Sequence, residues 1–139
     1  MSDNFERAKK TADQVKSHLE FLGYAVEEKT ESNGRPTLMC KHNSKLNMFA
    51  WFNKSGEHGF RGGYTKEKET NSIDHYKLLN AKNNALFLTK LYLDKDEEVQ
   101  FVAVYNGDYD RTGFGTFIDT LLLEMNTVVD DEFKKLFCK

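Results

Sequence analysis

Apolar residues recur at steps of three and four from Phe5 through Ala8, Ala12, Val15 and Leu19 to Leu22. That spacing predicts an amphipathic helix over 3–22. Asp3 with Glu6 three residues on is the side-chain pattern of a capping box, and Gly23 suits the left-handed residue that closes a helix. From Tyr24 the period drops to two, with Tyr24, Val26 and Glu28 on one side of a strand that ends at Thr30. Asn33-Gly34 tolerates the positive φ of a tight hairpin turn, and Pro36 sits at a strand start, where its missing N–H costs least. Strands over 37–42 and 46–52 follow, joined by Asn43-Ser44-Lys45. Leu46, Met48, Ala50 and Phe52 fall on one face of the second, and Phe49 and Trp51 on the other. Apolar side chains on both faces predict a central strand, covered by helix on one side and by something else on the other.

Residues 53–69 are interrupted by Gly56, Gly59, Gly62 and Gly63 around Phe60 and Tyr64, and predict only a short edge strand near 57–66. Asn71 is placed to cap a helix that runs to about 82, with Ile73, Tyr76, Leu78 and Leu79 as its apolar face. Strands over 86–93 and 99–105 then flank the acidic turn Asp94-Lys95-Asp96-Glu97-Glu98. A long apolar helix centred on 117–123 follows. Asp130 to Phe137 reads as a short terminal helix with acids first and lysines last, the order a helix dipole favours. The element order α-β-β-β-(β)-α-β-β-α, with hairpin-like connections, gives an α+β protein: a single antiparallel sheet with helices packed on it. At 139 residues, with no repeat or linker, one domain spanning 1–139 is expected.

Charged residues make up 30% of the chain, yet its net charge is only −2. That balance argues for a folded protein and gives no global pull toward nucleic acid or an anionic membrane. No apolar run approaches the roughly 20 residues of a membrane-spanning helix, and Met1 to Glu6 are too polar for a signal segment. Cys40 and Cys138 make no disulfide framework, so a cytoplasmic, reducing setting is expected.

Candidate chemistry is sparse. Asp108-Tyr109-Asp110-Arg111-Thr112-Gly113 with Asp119 twelfth has the oxygen spacing of a calcium loop. Gly115 replaces the usual apolar residue, Asp119 reaches less far than Glu, and a strand precedes the loop where a helix belongs. The better reading is a polar connection in which Asp110 or Thr112 caps the last helix. The acids of 94–98 read as solvated charge that keeps a hairpin from aggregating. His18, His42, His58 and His75 lack zinc-ligand spacing, and Cys40 with His42 on one strand hardly makes a nucleophile and base. No catalytic residue, metal or cofactor is therefore expected. The segment from Trp51 to Lys66 interleaves aromatics with Lys54, Arg61 and Lys66, the arrangement that stacks bases and meets phosphates, although Glu57, Glu67 and Glu69 dilute the charge.

The Asn-rich stretch Leu79-Asn80-Ala81-Lys82-Asn83-Asn84, running into strand, acidic turn, strand and helix as far as Val128, resembles the YbjN-like family. That family belongs with the type III secretion chaperone-like fold. The resemblance covers nearly the whole chain and implies a bacterial cytoplasmic protein, often a homodimer, that binds protein or peptide segments or modulates a regulator. It implies no enzymatic activity. The expected function is thus a non-enzymatic protein- or peptide-binding module, chaperone-like or regulatory. The alternatives are a nucleic-acid binder that uses 51–66 and an inhibitory protein that blocks a partner machine. Phe49, Trp51, Phe60, Arg61 and Tyr64 are the expected contact residues, because an uncovered apolar sheet face marks docking or dimerisation.

Overall fold

The structure, a computed structural model, describes residues 5–64, 72–95 and 98–137. Its elements run α1 (Glu6–Phe21), β1 (Ala25–Thr30), β2 (Pro36–Lys41), β3 (Met48–Phe52), β4 (His58–Tyr64), α2 (Ser72–Ala85), β5 (Lys90–Leu93), β6 (Val99–Tyr105), α3 (Arg111–Val128) and α4 (Asp131–Phe137). The six strands form one antiparallel sheet in the order β1-β2-β3-β4-β6-β5. The α+β class and element order match the pattern of apolar positions. One placement differs: β4, expected at an edge, lies between β3 and β6, and β1 and β5 are the edges.

Contacts group the chain into two compact units, Met1–Arg61 with Val104–Ile118, and Gly62–Ala103 with Asp119–Lys139. In the first, α1 buries Ala8, Thr11, Ala12, Val15 and Leu19 on one stripe and packs on β1, β2 and β3. The helix starts at Glu6 with Phe5 at the cap and no side-chain cap bond; Asp3 lies outside the described residues. Its end is a Schellman motif. Tyr24 N–H donates to the Leu19 carbonyl at 3.0 Å and Gly23 N–H to that of Glu20 at 3.0 Å, with Gly23 at φ +97°. The β1–β2 turn closes through Gly34 at φ +94°, whose N–H donates to the Glu31 carbonyl at 2.8 Å.

Beneath α1, the inward side chains Leu38, Cys40, Met48, Ala50, Phe52 and Phe60 are fully or almost fully buried. An aromatic cluster continues this core. The Phe60 ring centroid lies 5.8 Å from that of Phe114 and 5.7 Å from that of Phe117, and Tyr105 stands edge-on to Phe117 at 5.3 Å. Such tilted and edge-to-face geometries suit aromatic quadrupoles.

In the second unit, α2 buries His75, Leu78 and Leu79, whereas Ile73 and Tyr76, expected on its apolar face, are exposed. Asn71 lies outside the described residues. Strand β5 is shorter than expected, four residues instead of eight. The backbone N–H groups of Phe87, Leu88 and Thr89 bond the Glu124 carboxylate at 2.8, 3.1 and 2.8 Å. Asp130 caps α4 through the Phe133 N–H at 2.9 Å and pairs with Lys82. Among the described residues, no helix is long and apolar enough to cross a membrane.

Candidate functional site

The registers of β1 to β4 bring two rows of side chains together on the sheet face opposite α1. Glu27 pairs with Met39, Met39 with Phe49, and Phe49 with Arg61. The parallel row runs Lys29, Thr37, Trp51 and Gly59. Side chains directly opposite in a ladder share a face, and the strand period of two sets this face apart from the buried one. On it Met39 and Arg61 are exposed, while Phe49 and Trp51 are half-buried.

Local chemistry holds these groups in place. The Arg61 guanidinium carbon stands 4.8 Å from the Phe49 ring centroid, a cation–π geometry. The Trp51 indole lies across the Gly59 backbone so closely that a Cβ added there would come within 2.2 Å of a ring carbon. Glycine at 59 is therefore a packing requirement of Trp51, and the strand expected near 57–66 runs over His58–Tyr64. Glu27 and Lys29 form an exposed ion pair at 3.7 Å. At one end of the face, Arg35 donates to Asn53 Oδ1 at 2.7 Å and Asn53 Nδ2 donates to Glu57 at 3.1 Å.

Of the five expected contact residues, the structure gathers Phe49, Trp51 and Arg61 on this face. Phe60 has the opposite parity and is fully buried in the core. Its role is packing, because a side chain among Phe114 and Phe117 offers nothing to a partner unless the core opens. Tyr64 also has the opposite parity and stands edge-on to Phe133 at 5.2 Å. Met39 is the residue that sequence reasoning missed. The alternation of β2 carried the signal, since Leu38 and Cys40 bracket it on the other face.

The loop with calcium-ligand spacing is used otherwise. Arg7 donates to both oxygens of Asp108 at 2.7 and 2.9 Å, and this hydrogen-bonded pair holds the Asp108 carboxyl below its usual range. Asp110 accepts from the Gly113 N–H at 2.6 Å and caps α3. Asp94 accepts from the Glu98 N–H and the Gln100 amide, each at 3.0 Å, which shapes the acidic turn. Asp96 and Glu97 lie outside the described residues. Among those described, no three His, Cys, Asp or Glu side chains gather as a metal site.

Three further groups are structural. Burial pushes the Cys40 thiol up to about 12, so it holds little thiolate. His42 Nδ1 accepts from the Ser44 and Lys45 N–H groups at 3.0 and 3.1 Å. His58 is fully buried, its Nδ1 donates to the Gly56 carbonyl at 2.9 Å, and it stacks on Phe52 at 5.3 Å. Its Nε2 has no hydrogen-bond partner among the described residues, and burial lowers its pKa, which favours the neutral ring. Burial would raise the pKa of Glu124, but the bonds from residues 87–89 outweigh it and hold the carboxyl low.

The family model described as "YbjN: Putative bacterial sensory transduction regulator" matches residues 11–131. No curated protein matches the chain. No solved structure matches it either.

Proposed function

The chain belongs to the YbjN family, and from that premise we propose that it is a regulator that works by non-catalytic binding of a protein partner. The partner segment lies on the open face of β1–β4, against Met39, Phe49, Trp51 and Arg61. One observation carries this reading: large apolar side chains stand half-exposed on the sheet beside an exposed cation, although the same strands have a buried face available. Side chains of this kind dominate the binding energy of protein interfaces. The reading treats the 139 residues as one domain, because the boundaries between the two compact units fall inside β4, β6 and α3. A reducing cytoplasm suits the free, buried Cys40.

Nucleic acid is the weaker reading. Base stacking needs open ring faces, and Arg61 occupies one face of Phe49. Phe60 and Tyr64, half of the aromatic set that suggested bases, lie on the other side of the sheet. Catalysis also lacks support on this face, whose side chains include no nucleophile set beside a base.

Photo-crosslinking in a bacterial cell tests the proposal. A benzophenone side chain placed at Met39 is expected to capture a protein that the same group at Ile73, exposed on α2, does not. Equal capture at both positions, or none at Met39, would contradict it.

A further inference from the structure

Resting on the docking reading above, we propose that the segment received by this face is acidic, with carboxylates on either side of an apolar anchor. The chain as a whole carries a net charge of −2, yet the strand positions of this face hold three cations, Lys29, Lys41 and Arg61, against one anion, Glu27. Glu27 is paired with Lys29. Lys41 and Arg61 have no carboxylate partner among the described residues, and both are exposed. They bracket the Met39–Phe49 pair, because Lys41 is two residues from Met39 on β2 and Arg61 is opposite Phe49 on β4.

This placement sets a spacing. Two strand separations across the sheet and two residues along it put the Lys41 and Arg61 backbones roughly 12 Å apart. An extended chain advances about 3.3 Å per residue, so carboxylates three to four residues apart reach both cations. The residue between them meets Met39 and Phe49, with Trp51 two residues further along β3 on the same face. Arg61 is suited to this task, since its guanidinium lies over the Phe49 ring and a guanidinium so placed has further N–H groups to offer a carboxylate. A second copy of the chain is disfavoured as occupant, because two such faces would bring like charges together.

The test uses the full chain, immobilised, and a display library of random peptides of about twelve residues, with selection repeated on Trp51→Ala and Arg61→Glu. Peptides selected by the wild type are expected to be enriched in Asp or Glu three to four residues apart around an apolar residue. Trp51→Ala should lose them, and Arg61→Glu should shift the enrichment toward Lys and Arg. A selected peptide without tryptophan should shift the emission of Trp51, the sole tryptophan. Its affinity should fall about threefold to fivefold when the acids become Gln, or in Arg61→Gln. Apolar peptides selected without any acidic bias would overturn this proposal and leave the docking reading standing. Peptides whose binding ignores Trp51→Ala would overturn both. Shifts of Trp51 emission by single-stranded RNA, or by raising the protein concentration alone, with no response to peptide, would also overturn it in favour of nucleic acid or a second copy.

Discussion

The two faces of strands β2, β3 and β4 are built from similar residue types and end in opposite states. Leu38, Met48, Ala50, Phe52 and Phe60 on one face are covered to within a few per cent. Met39, Phe49 and Trp51 on the other are left partly open, with Met39 39% exposed. The difference lies in what meets each face. Helix α1 and the aromatic rings of α3 cover the first, and no charged side chain interrupts it. The second is shielded by its own side chains, the indole over Gly59 and the guanidinium over Phe49. Apolar area that neighbours do not cover is area a partner can cover.

The strongest way to break this comparison is Phe60→Ala. It should cost about 3–5 kcal/mol, as large cavities in packed cores do, measured by urea unfolding, and it would show that Phe60 belongs to the core. Gly59→Ala comes next. The added methyl displaces the Trp51 ring and should cost about 1–3 kcal/mol by overpacking. Emission of the sole tryptophan should move to the red as the indole leaves the sheet.

His58 sharpens the contrast through pH. Its pKa is lowered in the folded state from an unperturbed value of about 6.5, so between those two values the unfolded chain binds the additional proton. Stability is therefore full above about pH 6.5 and falls as the pH drops below it, by at most ~1.4 kcal/mol per pH unit. Asp108 and Glu57 favour the charged ring and soften the loss. His58→Phe should remove this slope in denaturant titrations at pH 5 to 7. The acid losses of Asp108, Glu124 and Asp130, whose pKa values are lowered, would remain at lower pH. The smallest effect is expected at Met39→Ser, where stability should change by no more than ~0.5 kcal/mol, while crosslinking of a partner from the neighbouring face weakens.

The element order was legible because the period changes cleanly, from the stripe of α1 to the alternation of β2 and β3. Gly23 and Gly34 marked their turns for the same reason, each being the residue with the left-handed φ. What sequence could not show depends on register and on distant partners. Alternation separates Met48, Ala50 and Phe52 from Phe49 and Trp51, but both sets are apolar, and only their neighbours decide which is covered. Phe60 and Arg61 fall on opposite faces by the alternation of any strand, and the register that sets Trp51 opposite Gly59 decides which of them joins the core. The truncation of β5 needs Glu124, more than thirty residues further along the chain. Its charge on a mostly apolar helix gave no hint of the loop it binds.

The measurement closest to the centre of this account is collisional quenching of Trp51 emission. In the free protein, iodide should quench it readily and better than caesium, because the indole is partly open and stands among cations. Addition of the partner captured at Met39 should protect it from both. An indole already shielded in the free protein, or one whose quenching the partner leaves unchanged, would contradict the claim that this face is where the protein binds.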